Sequence, residues 1–228
     1  MCGRYLLEDE AYADILQILY ELNKTKKAAA GGFSQSELVG GGLAAGEISR
    51  TEFPHGEIFP TSIAPVCTSD GIVAVKWGFP HWKNSGVIIN ARAETASEKK
   101  MFGKPLKESR CVVPSSGFYE WNRGKNKQKD KYFFKRPGEN TLYMAGIVGT
   151  FRDAAGVQYS AFAILTTVAN DSVSSIHDRM PVILSPDELD LWITDDTFTE
   201  NVLHRSGPEL ASVLINETAS SYYENILD

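Results

Sequence analysis

The chain has 228 residues and 43% hydrophobic content, enough for one sizeable core, which excludes a wholly disordered protein. A net charge of −6 excludes a globally basic nucleic-acid binder, so any such binding must use a local patch. The three cysteines, Cys2, Cys67 and Cys111, are widely spaced and fit neither a disulfide framework nor a zinc knuckle. No apolar run approaches a membrane span, and the N-terminus lacks a signal-peptide pattern. A cytoplasmic protein without a membrane segment is expected.

In chain order, Arg4 to Leu7 reads as a short strand. Glu8-Asp9-Glu10 then opens a helix, with Tyr12, Ile15, Leu16, Leu19 and Leu22 at helical spacing. Composition changes over 24–50, where alanine and glycine runs predict a mobile insertion. From Phe59 the character is β. Ile63 to Thr68 and Ile72 to Trp77 flank the turn residues Ser69-Asp70-Gly71. Val87 to Asn90 predicts a short strand, and Thr95 to Phe102 a short helix. Strands follow at Cys111 to Val113, Phe118 to Trp121, Lys131 to Arg136, Leu142 to Val148 and Val157 to Thr166. Pro186 to Ile193 and Phe198 to Leu203 predict flanking helices. Many short strands with few helices indicate a single α+β domain over 1–228, mainly β, built on a curved antiparallel sheet or barrel.

Cys2 is unusual by position. If Met1 is removed, Cys2 carries a free α-amine and a thiol on adjacent carbons. An aldehyde condenses with the amine to an imine, and the thiolate closes onto the imine carbon as a five-membered thiazolidine. The α-amine pKa of about 7.7–8.0 leaves roughly a tenth of it neutral at pH 7, far more than a lysine. The plain alternative is a small residue at the start of a strand.

Other polar residues interrupt apolar patterns. Asn90 ends Val87-Ile88-Ile89, with Arg92 and Glu94 at alternating positions after it; a helix cap and surface charges are the alternative. Glu120 lies between Tyr119 and Trp121, where desolvation would suit a carboxyl to proton transfer, unless it faces solvent. His177, beside Asp178 and Arg179, can titrate near neutral pH, although a lone histidine is often structural. The four histidines lack metal-ligand spacing, so no metal is expected. The basic run from Arg123 to Lys131 is either a solvated hairpin tip or a phosphate-tracking patch.

Six motifs occur in order: Met1-Cys2-Gly3-Arg4, Pro60-Thr61, Trp77-Gly78-Phe79, Asn90 to Glu94, Gly117 to Trp121 and His177 to Pro181. As a set they resemble the SOS-response-associated peptidase (SRAP) family, which includes abasic-site DNA–protein crosslinking proteins. The resemblance implies a β-barrel-like fold with flanking helices and a cleft for single-stranded DNA. It implies that Cys2 forms the thiazolidine with the sugar aldehyde of an abasic site and that Asn90 positions Cys2. Glu120 would transfer protons during imine formation, and His177 would assist ring opening and reversal. Arg4, Arg92 and Arg179 are similar to phosphate-contacting or site-ordering residues. Pro60, Trp77 and Trp121 stand where apolar contacts to DNA are expected, with the core as the alternative for Trp77. No cofactor is implied, a monomer is expected, and the family name implies autocatalytic removal of the residue before Cys2. The segment 28–46 and the stretch after Ile215 depart from the family pattern.

Two other readings compete. An N-terminal-nucleophile amidohydrolase would use the Cys2 thiolate on an amide, with Asn90 as an oxyanion donor. A non-catalytic module would bind single-stranded nucleic acid through the basic run without needing Cys2.

Overall fold

The computed structural model describes residues 2–17, 55–81, 83, 85–122 and 129–215. The insertion expected at 24–50, residues 123–128 of the basic run and the chain beyond Ile215 lie outside the described residues.

Strand β1 (Arg4–Leu7) leads into helix α1, described over residues 9–17. Then come β2 (Gly56–Ile58), β3 (Ile63–Thr68), β4 (Gly71–Trp77), β5 (Phe79–Pro80), β6 (Val87–Ile88) and β7 (Asn90–Arg92). Two helices, α2 (Ala93–Ala96) and α3 (Lys100–Glu108), precede β8 (Arg110–Ser115), β9 (Gly117–Trp121) and β10 (Lys131–Lys135). The long strands β11 (Leu142–Arg152) and β12 (Gln158–Val168) follow. The chain continues through α4 (Asp171–Ser174), β13 (Arg179–Pro181), β14 (Ile183–Leu184), a 3-10 turn at Pro186–Glu188, α5 (Leu189–Thr194), α6 (Asp196–His204) and β15 (Ala211–Ile215).

The expected mainly β architecture is present as two sheets. In one, strands run β15-β10-β9-β1-β2, all antiparallel. In the other, β12-β4-β3-β8-β11 closes on itself because β11 also pairs with β12, making a five-stranded barrel. The β12–β4 contact is its one parallel seam among the described strands. Strand β12 also carries β7 in parallel and β13 antiparallel beyond the barrel seam.

Pleating separates two cores, since successive side chains point to opposite faces. Val113, Met144, Phe162 and Ile164 of the barrel pack with Cys2, Tyr5, Phe118 and Phe134 of the other sheet. Val112, Ala145, Ala163 and Leu165, one residue away in each strand, pack with the helices through Tyr12, Leu106, Trp192 and Leu203. Arg110 ties these helices to β8. Its guanidinium donates to the carbonyls of Leu106, Lys107 and Trp192, and to Asp196 at 2.7 Å. It thereby satisfies helix-end carbonyls that lack intrahelical partners.

The single helix expected at Thr95 to Phe102 is two helices. A Cβ on Gly103 would lie 2.7 Å from the Ser97 carbonyl oxygen, so the missing side chain lets α3 fold back against the end of α2. The strands β2 and β15 have no counterpart in the sequence reading. Both are short, and the pattern of β15 is mostly exposed.

Gly117 starts β9 where a Cβ would stand 2.4 Å from both the Phe134 carbonyl oxygen and Phe133 Cζ. Backbone cannot yield there as a side-chain tip would, and overpacking costs about 1–3 kcal/mol. Gly117→Ala should lower the melting temperature, at about 2–4 °C per kcal/mol for a chain of this size. An unchanged melt would contradict this packing.

Candidate active site at the N-terminal cysteine

Cys2 lies two residues ahead of the start of β1, which pairs with β9 so that Arg4 faces Tyr119 and Tyr5 faces Phe118. Alternation along β9 turns Phe118 and Glu120 toward the barrel and Tyr119 and Trp121 away from it. Glu120 is 3% exposed and lies on the Cys2 side of the sheet. From the other sheet, β7 brings Asn90. Its Nδ2 donates to the Cys2 carbonyl at 2.9 Å, joining the two sheets across 88 residues of sequence. Asn90 Oδ1 is buried and has no protein partner among the described residues.

His177 enters from the turn between α4 and β13. Its backbone N–H donates to the Val173 carbonyl at 3.0 Å. The Arg179 N–H donates to His177 Nδ1 at 3.0 Å, which leaves the neutral ring its proton on Nε2. Nε2 faces Glu120 Oε2 at 3.9 Å, within ion-pair reach but too long for a hydrogen bond. Proton on Nδ1 would instead face the Asp178 carboxylate at 3.2 Å. The ring thus lies between two carboxylates, Glu120 on its Nε2 side and Asp178 on its Nδ1 side.

Cys2 is fully buried and its thiol donates weakly to the Arg4 carbonyl at 3.8 Å. Burial pushes this thiol well above the ordinary cysteine value, and the nearby Glu120 carboxylate pushes the same way. In this chain Met1 precedes Cys2, so the Cys2 nitrogen is a peptide nitrogen.

The remaining expected site residues divide by environment. Arg4, Pro60 and Trp121 are partly exposed and Arg92 is exposed. The Arg4 guanidinium stacks 4.4 Å from the Phe59 ring centroid and 5.1 Å from that of Trp121. Thr61 adopts φ +75, a strained conformation for a β-branched residue, while its N–H donates to the Trp77 carbonyl at 2.8 Å.

Trp77 does not face solvent, contrary to the expected DNA contact. It is fully buried, stacks on Phe162, meets the Tyr5 ring edge-on at 5.1 Å and donates through Nε1 to the Ile89 carbonyl. Its neighbours on β12 and β1 leave no face open.

Arg179 is also buried. It grips Glu94 with two hydrogen bonds, at 2.6 and 2.9 Å, and donates to the Thr166 carbonyl. That fork is the bidentate geometry that makes arginine–carboxylate pairs strong. It ties β13 to the start of α2, directly after Asn90 and Arg92. The hydrogen bonds from Arg179 hold the Glu94 carboxyl below its usual value. The pair therefore stabilises the fold above the unfolded-chain carboxyl range and is lost as pH falls through the lowered one. No local pattern signals this pairing, since the partners are 85 residues apart. Glu57 and Phe59 were also missed, because they lie at the edge of the atypical segment.

Among the described residues, no group of three His, Cys, Asp or Glu side chains could hold a metal ion. No helix there is long and apolar enough to cross a membrane.

Fold and site together define a mainly β protein in which an amide from one sheet holds Cys2, a carboxylate from the other lies near its thiol, and an imidazole from a turn faces that carboxylate. Residues 1–217 match the model of SRAP, the SOS response associated peptidase family, and the chain belongs to that family. It is 35% identical to abasic site processing protein YoqW of Bacillus subtilis over 169 residues, which covers 66% of this chain and 75% of that one. It is 33% identical to YedK of Escherichia coli over 124 residues, covering 54% of each chain. HMCES of Xenopus tropicalis is 32% identical over 145 residues, covering 51% of this chain and 43% of that protein. Both are likewise named abasic site processing proteins. A solved structure of a Bacteroides thetaiotaomicron protein shares the fold with a TM-score of 0.71 at 22% identity, covering 95% of this chain and 93% of that one. One from Bordetella bronchiseptica does so with a TM-score of 0.66 at 21% identity, covering 94% and 100%.

Cys67 and Cys111 are buried as well, and burial pushes both thiols up, Cys67 to about 12. With Met1 in place, native protein at pH 7–8 should therefore react with a thiol reagent far more slowly than the denatured chain, at all three cysteines. Timed labelling and intact mass measure this. Rapid labelling of Cys2 in the folded, unprocessed chain would contradict its burial.

Proposed function

We propose that this protein processes abasic sites in single-stranded DNA by forming a covalent bond through Cys2. The observation that carries the reading is that Asn90 hydrogen-bonds the Cys2 carbonyl at 2.9 Å while the Glu120 carboxylate, near enough to act on the Cys2 thiol, faces His177 Nε2 at 3.9 Å. The names of the matched relatives support abasic sites as the substrate.

The chemistry starts once Met1 is gone. The α-amine attacks the C1′ aldehyde of the ring-opened sugar, and the carbinolamine loses water to give an imine. The thiol then adds to the imine carbon, its proton passing to nitrogen, and the thiazolidine is complete. Glu120 takes and returns protons at the amine and the departing hydroxyl. His177 exchanges protons with the sugar during ring opening and in the reverse reaction. Asn90 fixes the Cys2 backbone, and its free Oδ1 is available to accept an amine N–H. Loss of the base means the strand needs no base flipping. Arg4, Arg92, Pro60 and Trp121 contact the strand, whereas Arg179 acts by ordering the segment from Asn90 to Glu94.

Removal of Met1 is the second activity in this reading: water hydrolyses the Met1–Cys2 peptide bond, releasing methionine and the Cys2 amine, with the Cys2 thiol and the neighbouring Glu120 assisting. The amidohydrolase reading is less well supported. Asn90 Nδ2, its oxyanion donor, is already engaged by the Cys2 carbonyl. A module that binds through the basic run alone gives no role to the buried groups around Cys2.

Processed protein mixed with abasic single-stranded DNA should give an adduct that survives denaturation. Cys2→Ala should abolish it, as should a residue before Cys2 that cannot be trimmed. Glu120→Gln and His177→Ala should slow its formation, by about 10²–10⁴-fold if each acts as a positioned acid/base. Their melts should be unchanged, and His177→Ala should also slow reversal. A stable adduct from Cys2→Ala would overturn the mechanism. A collapsed melt with normal rates in the folded fraction would return Glu120 and His177 to structural roles.

A further inference from the structure

Three charged side chains meet on the face of the five-stranded sheet that points away from the barrel. Glu57 of β2 accepts a hydrogen bond from Arg4 Nη1 at 3.0 Å through Oε2, and pairs through Oε1 with Lys131 Nζ. The strands place them side by side: Leu6 of β1 faces Glu57, Arg4 faces Tyr119 of β9, and Trp121 faces Lys131 of β10. The aromatic rings complete the cluster. Arg4 lies between Phe59 and Trp121, and Lys131 Nζ stands 3.9 Å from the Tyr119 centroid. The Arg4, Glu57 and Lys131 side chains are 29%, 27% and 19% exposed, and Phe59 is 44% exposed. Two cations beside the exposed Phe59 and the partly exposed Trp121 are the elements of a single-strand site, where bases stack and cations meet phosphate.

Glu57 opposes that use. A phosphate arriving at Arg4 or Lys131 meets cations already neutralised in part by a carboxylate, and competes for the same N–H donors. The cost is moderate because the cluster is partly solvated and salt screens it. Such a competitor discriminates by weakening one class of contact more than another.

We propose that Glu57 is a specificity-determining residue that competes with backbone phosphate for Arg4 and Lys131. It keeps binding to intact single strands weak, so that lasting attachment depends on the covalent step at an abasic site. This rests on the DNA-binding reading above.

The test is the affinity of the full chain for an undamaged oligothymidine, measured by fluorescence anisotropy over a range of salt concentrations. Each phosphate neutralised adds about 0.7 to the slope of log K against log salt for single strands. Glu57→Gln should bind more tightly at low salt, with a slope steeper by up to about that amount per cation released. Lys131→Gln should weaken binding, and the effect of Glu57→Gln should shrink in the double variant. Excess undamaged strand should inhibit abasic crosslinking more in Glu57→Gln than in wild type. A folded Glu57→Gln with a wild-type or shallower slope overturns the proposal and reduces Glu57 to a brace between β1 and β2. If Glu57→Gln unfolds, Glu57→Asp keeps the charge but is too short to hold both cations. It must still steepen the slope, and a folded Glu57→Asp with the wild-type slope is equally contrary. Wild type that neither binds single strands nor crosslinks abasic DNA overturns the DNA reading along with this one.

Discussion

The hydrogen bond from Asn90 to the Cys2 carbonyl is the contact on which the site depends, because it fixes the N-terminus against a sheet to which it does not belong. Such a bond contributes only about 0.5–1.5 kcal/mol net, too little to hold a terminus by itself. The scaffold supplies the rest. Cys2 sits among Tyr5, Phe118 and barrel residues such as Phe162 and Ile164. Asn90 is set by the parallel pairing of β7 with β12, and Ile89 just before it accepts the indole N–H of Trp77. The Arg179 fork on Glu94 then closes the segment from its far side. Trp77 and Arg179 thus support the residues that surround Cys2 while remaining buried themselves.

The pleat of β1 and β9 divides chemistry from surface. Tyr5, Phe118 and Glu120 face the barrel, where Cys2, ahead of the strand, also packs, while Arg4, Tyr119 and Trp121 face outward. Adjacent residues in a strand cannot share a face, so one short segment serves both sides. A register slip of one residue between β1 and β9 would exchange the two sets and bury Trp121 where Glu120 stands. Gly117, with Phe133 and the Phe134 carbonyl of β10 against it, helps seat β9 on its other neighbour, β10.

Much of this was legible in the sequence. Strand alternation and turn residues indicated the β character and most strand positions, because pleat and turn chemistry are local. Asn90 and Glu120 stood out as polar groups in an apolar or aromatic setting, Cys2 by its position after Met1, and His177 as a titratable ring beside Asp178 and Arg179; Asn90 bonds the Cys2 carbonyl, and Glu120 faces His177. A barrel was expected, but which strands close it was not legible, since the β11–β12 and β12–β4 pairings depend on long-range register. Nor was the fate of Trp77 and Arg179. An aromatic or an arginine in a motif looks alike whether it meets DNA or packs inside, and only the partners, Phe162 and Glu94, decide. Glu57 was hidden for a third reason, lying in a short strand beside a segment of atypical composition.

The most direct test of Cys2 chemistry is the mass and position of the adduct. Processed protein incubated with an abasic oligonucleotide and digested should yield one modified N-terminal peptide. Its mass should equal peptide plus DNA remnant minus one water, with neither amine nor thiol of Cys2 free to react and no borohydride needed to preserve it. An adduct mapped to a lysine, or one seen only after reduction of an imine with the Cys2 thiol still free, would contradict thiazolidine formation at the N-terminus.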